Sequence, residues 1–247
     1  MKNFWDIVND VIGQSDIVME ILDARFVEET RNKELEDRIR AKGKKLIFVI
    51  NKCDLAEKGV LEKKKRELNP CVFVSAIKRF GITMLLHEIQ RHADKSKERV
   101  VVGVVGYPNT GKSSVINALK GRASAPVSPQ SGFTKALQLI RITSRIYLLD
   151  TPGVYSYMEK DAAKHALISS MDFSRIKDPE SAVISLLEYN RKAIASHYGV
   201  KELKDSEALL VEIAVKMNKV KKGGVPDTKL AAQMLLKDWQ RGKIRII

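Results

Sequence analysis

The chain predicts an α/β fold: a mostly parallel sheet domain over residues 1–158, followed by a small all-helical domain over residues 159–247. Three observations predict it. Short apolar runs alternate with helical segments through the first part, the pattern of strands covered on both faces of a parallel sheet. After about residue 158 only helical periodicity remains. Polar, glycine-bearing turns fall at the carboxyl ends of the apolar runs, where open α/β sheets hold their ligands.

The elements follow in order. Asp16–Asp23 (DIVMEILD) is a buried strand, and Asn32–Lys42 a helix with charges on most faces. Lys45–Ile50 (KLIFVI) is a second strand, Leu61–Leu68 a charged helix and Cys71–Ser75 (CVFVS) a third strand. Gly81–Ala93 is amphipathic, with Ile82, Leu85, Leu86 and Ile89 on one face. Arg91–Arg99 is a polar surface connection. Val100–Val105 is a strand that runs into a glycine-bearing loop, and Ser113–Lys120 opens the helix after it. Leu137–Ile142 and Arg145–Leu149 read as a strand pair. Helices are predicted over Asp161–Ser170, Glu180–Tyr198, Asp205–Asn218 and Thr228–Gln240. Gly223-Gly224-Val225-Pro226 separates the last two, and the Asp227 carboxylate can cap the final helix. There is no internal repeat and no low-complexity tract.

Composition narrows the class. The 247 residues are 44% hydrophobic, enough for a packed core. No run approaches the ~18 consecutive apolar residues of a membrane span. The start, Met1-Lys-Asn-Phe-Trp-Asp, lacks the charged-then-apolar pattern of a secretory signal. Cys53 and Cys71 have no metal-ligand spacing and imply no disulfide framework. The expectation is a soluble, cytoplasmic protein. The net charge of +14 and pI near 9.7 point to an anionic partner, nucleic acid first. No Asp or Glu occurs from Arg99 to Leu149, and nine Lys and Arg face two Asp from Lys216 to Ile247.

Three motifs carry chemistry. Gly106-Tyr-Pro-Asn-Thr-Gly111-Lys112-Ser113 fits GxxxxGK[ST]. Its backbone N–H groups, with those of Thr110, Gly111 and Ser114, can close around phosphates, Lys112 can meet the β and γ phosphates, and Ser113 can bind Mg²⁺. Asn51-Lys52-Cys53-Asp54 fits NKxD. Asp54 can accept from guanine N1 and N2, a donor pair that adenine lacks. Asn51 can bridge to the phosphate loop, the Lys52 stem can pack on the base, and Ser75-Ala76 lie at the next strand end. Asp150-Thr151-Pro152-Gly153 fits DxxG: Asp150 can hold Mg²⁺ through water and the Gly153 N–H can meet a γ-phosphate. The Ser-, Pro- and Gly-rich loop between Gly121 and Leu137 has switch character, with Thr134 preferred over Ser128 and Ser131 as its Mg²⁺ and γ-phosphate ligand. Lys112, Thr134 and Gly153 are thus the candidate catalytic groups. In a GTPase of ordinary order the guanine reader comes last; here it comes first, as in a circularly permuted P-loop GTPase.

Together these residues resemble the circularly permuted ribosome-assembly GTPases of the YlqF/RbgA type, in an archaeal-like member, over nearly the whole chain. Asp23-Ala24-Arg25 matches the family's DAR element, Arg31-Asn32 its RN, Gly106–Ser114 its GxPNxGKS loop and Gly132-Phe-Thr134-Lys135 its GxTK switch. The tail from Gly223 to Lys243 resembles its helical C-terminal domain. The resemblance implies Mg²⁺-dependent GTP hydrolysis, slow without a partner, in maturation of the large ribosomal subunit. RNA contacts are expected from Lys219, Lys221, Lys222, Lys237, Arg241, Lys243 and Arg245, in a monomer. Asn109 matches a position that helps hold K⁺ in related GTPases; from the residue alone it also suits a tight turn. Val154 replaces a water-orienting glutamine and has no polar side-chain atom. Bacterial members carry an N-terminal histidine that residues 1–86 lack, and His87, His92, His165 and His197 read as structural or surface residues. Asp23 and Arg25, from the residues alone, fit a capped strand end with a solvated Arg equally well. Two other functions stay open: a GTPase acting on tRNA or a translation complex, and an RNA-binding protein with structural GTP.

Overall fold

The computed structural model describes residues 4–121, 138–150 and 176–245. The chain divides into two compact units, residues 1–54 with 58–158 and residues 55–57 with 159–247.

The first unit is a six-stranded sheet: β1 (Ile17–Asp23), β2 (Lys45–Asn51), β3 (Cys71–Phe73), β4 (Val100–Val105), β5 (Gln138–Arg141) and β6 (Ile146–Asp150). The order is β3-β2-β1-β4-β6-β5, and every neighbouring pair is parallel except β5 with β6. The chain adds strands outward on one side of β1 as far as β3, then returns to place β4 on the other side. The order therefore reverses between β1 and β4. At that point loops diverge and leave a crevice beyond the strand ends. All seven residues of β1 are buried, as expected of a central parallel strand.

Helices α1 (Phe4–Gln14), α2 (Val27–Thr30), α3 (Lys33–Ala41), α4 (Lys58–Glu67), α5 (Ile82–His92) and α6 (Lys112–Lys120) accompany the sheet. The strands and the charged helices lie within a few residues of expectation. The first two helices were not anticipated. α1 did have a signal: Val8, Val11 and Ile12 recur at helical spacing and are buried. α1 lies on β4 at Gly103, where a Cβ would come within 2.9 Å of Val11 Cγ1. α3 begins on Asn32, whose side chain accepts from Leu35 N–H.

Below that cap, Glu20 is fully buried in β1. Its Oε1 accepts the Asn32 N–H at 3.0 Å, and Oε2 has no hydrogen-bond partner among the described residues. Burial, with the nearby Glu36 carboxylate adding to it, pushes the Glu20 carboxyl up to about 8. It is therefore a neutral acid at pH 7.

Among the described residues the second unit contains three helices, α7 (Pro179–Tyr198), α8 (Ser206–Lys216) and α9 (Thr228–Gln240), packed pairwise. Each starts on an aspartate, Asp178, Asp205 or Asp227, that accepts a first-turn N–H. Their buried faces include Leu186, Ile194, Leu209, Ile213, Leu235 and Trp239. α7 departs from helical geometry at Asn190, with φ −132°. Between α8 and α9 the chain makes a short hairpin, with Asp227 N–H donating to Lys219 O (2.8 Å) and Lys221 N–H to Val225 O (2.8 Å). Gly223 and Gly224 turn it, both in the left-handed region. The expected helix Asp161–Ser170 lies outside the described residues.

The raised Glu20 pKa has a measurable consequence. Its favourable contribution is complete below its unfolded value of about 4.5 and is lost as pH rises through about 8. In urea melts, the wild type should lose stability relative to Glu20→Gln between those two pH values. Parallel stability curves across that range would show that Glu20 is ionised when folded.

Candidate nucleotide site

The phosphate loop follows β4 directly. Gly106 (φ +141°) passes so close to β1 that a Cβ would lie 2.5 Å from Ile21 O. A Cβ on Gly111 (φ +95°) would run into the Asn51 amide. Both positions therefore require glycine. Lys112 is buried, and its Nζ spans the loop to Gly106 O (2.8 Å) and Tyr107 O (2.7 Å). Thr110 Oγ1 donates to Tyr107 O at 2.9 Å. α6 starts at Lys112 without a side-chain cap, so first-turn N–H groups face the loop with the helix dipole behind them. Ser113 and Ser114 are exposed on that turn.

The guanine-reading segment closes over this loop from β2. Asn51 Nδ2 donates to Thr110 O (2.8 Å), and its Oδ1 accepts the Ala76 N–H (3.1 Å). One buried amide thus ties together the expected base-reading, phosphate-binding and Ser75-Ala76 segments. Asp54 occupies the 3₁₀ turn Cys53–Leu55. Burial acts to raise its carboxyl, but the Ser75 hydroxyl and Lys78 outweigh it and hold Asp54 below its ordinary value. Lys78 Nζ lies 3.2 Å from Asp54 Oδ2. An ionised Asp54 presents acceptors only, as recognition of two N–H donors requires.

Asp23 was underestimated by sequence reasoning. It is fully buried at the end of β1, in register with Asn51. Arg25 holds it through Nε–Oδ1 (3.0 Å) and Nη2–Oδ2 (2.8 Å). Lys52 Nζ donates to Asp23 Oδ2 and to Asn109 O, each at 2.7 Å. The reading of Arg25 as solvated is therefore wrong: the residue is 8% exposed and its charge is spent on Asp23. Burial opposes the Asp23 charge, but Arg25 and Lys52 together keep the carboxyl well below the usual range. The advance signals were an acid and a base two residues apart at a strand end and the resemblance of Asp23-Ala24-Arg25 to the DAR element. Lys52, expected to lend its stem to the base, also ties the DAR element to the phosphate loop. Asn109 adopts φ +60°, which fits the turn reading, and its carbonyl serves Lys52.

Asp150 ends β6, beside β4 on the same edge. Thr134, with the rest of Gly132–Lys135, and Gly153, Val154 and His165 lie outside the described residues. His87 is exposed, His92 pairs with Glu88 (3.0 Å) and His197 sits edge-on to Tyr198. Among the described residues no three His, Cys, Asp or Glu side chains group as a metal site. The tail residues Lys221, Lys222, Arg241, Lys243 and Arg245 are exposed, while Lys219 and Lys237 are half-buried. Lys243 is paired with Asp238 at 2.7 Å.

Comparison with known proteins shows what the arrangement is similar to. Residues 101–219 match a family described as 50S ribosome-binding GTPase. The whole architecture matches the crystal structure of GNP-bound YlqF from T. maritima, with TM-score 0.69 and 25% identity, covering 97% of this chain and 95% of that one. In fold the chain is similar to the circularly permuted GTPase YlqF. An uncharacterized GTP-binding protein of Methanocaldococcus jannaschii is 39% identical over 245 residues, covering 96% of this chain. Nuclear/nucleolar GTPase 2 of Arabidopsis thaliana is 36% identical over 256 residues, and nucleolar GTP-binding protein 2 of Saccharomyces cerevisiae 33%. The chain spans 65%, 44% and 52% of these three relatives' lengths. No described helix is long and apolar enough to cross a membrane.

Two outcomes are expected. Arg25→Ala leaves a buried carboxylate short of one cation and should cost about 3 kcal/mol of stability in denaturant melts. Where the variant still folds, GTP affinity should drop at least tenfold, because Lys52 is no longer held over Asn109. Full GTP affinity in folded Arg25→Ala would make the cluster purely structural. Asp54→Asn replaces an acceptor with a mixed group, so GTP binding should weaken and xanthosine triphosphate binding strengthen. An unchanged preference in competition binding would remove Asp54 from the base site.

Proposed function

We propose that this chain binds and hydrolyses GTP and serves as an assembly factor for the large ribosomal subunit. One observation carries the nucleotide half: the Asn51 amide joins the guanine reader, the phosphate loop and Ala76 in a single set of hydrogen bonds. The ribosomal half is supported by the description of the matching family and by the nucleolar names of the relatives. Its finer element, the large subunit, also draws on the 50S in that description.

In this reading Asp54 selects guanine, the α6 N-terminus and Lys112 hold the phosphates, and Thr134 and Gly153 grip the γ-phosphate. The donor set fits Mg²⁺. Ser113 is an exposed hydroxyl on the first turn of α6, Asp150 ends the neighbouring strand, and Mg²⁺ accepts few protein oxygens beside water and phosphate. When bound it would neutralise charge on the transferred phosphoryl group. Asn109 is the candidate for a K⁺ ligand. Residues 154–160 lead from the DTPG motif into the helical unit, so release of the γ-phosphate is carried to the residues proposed for RNA: Lys219, Lys221, Lys222, Lys237, Arg241, Lys243 and Arg245. The protein acts as a cytoplasmic monomer, with residues 1–158 as the GTPase domain and 159–247 as its RNA-contacting domain.

The test is co-sedimentation with large subunits, small subunits and tRNA, alongside GTP turnover. Turnover alone should be about 10⁻⁴ to 10⁻² s⁻¹ and should rise on adding large subunits. Neutralising Lys221, Lys222, Arg241 and Arg245 together should weaken particle binding and flatten its salt dependence without changing GTP affinity. Association with tRNA alone would move the reading to another RNA target. Turnover indifferent to every particle would leave GTP as a structural ligand.

A further inference from the structure

Beside the base-reading segment the chain forms a small rigid turn, whose tip residues Ile77, Arg79 and Phe80 the nucleotide site does not use. Ser75 and Phe80 exchange both backbone hydrogen bonds at 3.1 Å, and Lys78 N–H donates to Ser75 Oγ at 3.3 Å. Arg79 takes a left-handed conformation (φ +54°), and Gly81 (φ +73°) closes the turn where a Cβ would strike Phe73 O. The four tip residues, Ile77-Lys78-Arg79-Phe80, are all exposed. Ile77 is 85%, Phe80 61% and the adjacent Met84 of α5 62% exposed. A pinned turn that holds large apolar side chains in water is a feature that awaits a partner.

Charge selects the partner. No acid lies between Ala76 and His87. Arg79 leans towards the last turn of α6, where its guanidinium is 3.4 Å from the position a Cβ on Gly121 would take, and Lys120 is exposed there. Lys78 reaches the other way, to Asp54. The surface thus presents an aromatic face, two apolar side chains and three cations. Single-stranded nucleic acid is recognised by such sets, with bases stacking on the ring and phosphates meeting Lys and Arg.

We infer that the 75–81 turn is a contact for single-stranded RNA, with Phe80 stacking on a base and Arg79 and Lys120 meeting the flanking phosphates. The contact adjoins the proposed guanine site through Ala76 and Asp54. It depends on the ribosomal reading only for the source of the RNA.

The test uses the full chain, saturated with GDP, and a fluorescent 12-nucleotide single-stranded RNA containing 4-thiouridine. Photo-crosslinks should map to the peptide holding Phe80. Phe80→Ala should weaken binding about tenfold and Phe80→Tyr should restore it, because stacking needs only the ring. Arg79→Ala with Lys120→Ala should lower the salt slope by about 1.4, the value for two phosphates of a single strand. GDP affinity of Phe80→Ala should match the wild type, which shows the base site intact. Crosslinks confined to the tail, or Phe80→Ala within twofold of wild type, overturn the inference and leave the turn to a protein partner. If RNA binds as described but ribosomal particles do not, the assembly role fails and the RNA contact stands.

Discussion

The site depends on two side chains that cross from β2 to the phosphate loop. Asn51 and Thr110 are 59 residues apart, yet the Asn51 amide bonds the Thr110 carbonyl and the Ala76 N–H at once. Lys52 makes the parallel link to the Asn109 carbonyl. The backbone bends to allow it: Lys52 and Asn109 both sit in the left-handed region, a cost of about 1 kcal/mol each for residues with a Cβ. Two hydrogen bonds donated by charged Lys52, to Asp23 and to the Asn109 carbonyl, offset that strain. Gly111 yields its Cβ to the same end, since any side chain there would displace Asn51. The segments proposed to read the base and hold the phosphates are thus joined into one preorganised body, even though they lie far apart in the sequence.

β1 shows how surroundings decide the state of a buried acid. Asp23 and Glu20 lie three residues apart on one strand, and neither is exposed. Asp23 faces Arg25 and Lys52 and remains an anion at any ordinary pH. Glu20 has one N–H donor and a carboxylate, Glu36, nearby, so it keeps its proton. Coulomb attraction at contact distance outweighs desolvation in the first case, and in the second nothing opposes it strongly enough. The two roles diverge accordingly. The anion organises the motifs at the strand end, while the neutral acid supports the start of α3.

The helical unit keeps its cations outward by simple means. Three aspartates cap three helices, and apolar faces meet around Trp239. The α8–α9 hairpin turns on two left-handed glycines and leaves Lys221 and Lys222 at its tip. Among the described residues of this unit, Lys243 is paired with Asp238. Around the 75–81 turn the same economy holds: short backbone bonds fix the shape and the side chains face water.

Local chemistry was enough to place most of this. Apolar runs ending in polar turns located the strands, Asp227 announced its own helix, and two of the three motifs, at 51–54 and 106–113, come together at the strand ends. These features were readable because each depends on residues within a few positions of one another. The aspartate caps, the glycine turns and the strand–loop–helix step at Gly106–Ser113 need no distant partner. Only the tertiary structure could show that Arg25 is buried against Asp23, that Lys52 serves Asp23 and Asn109 together, that Glu20 is neutral, and that Lys78 reaches Asp54. Each of these depends on which charge the fold brings within about 3 Å of which other. α1 lay between the two cases, with a readable period of Val8, Val11 and Ile12 but a position explained only by Gly103 on a strand far along the chain. Sequence spacing sets what a segment can become, and burial and charge contact set what its polar groups then do.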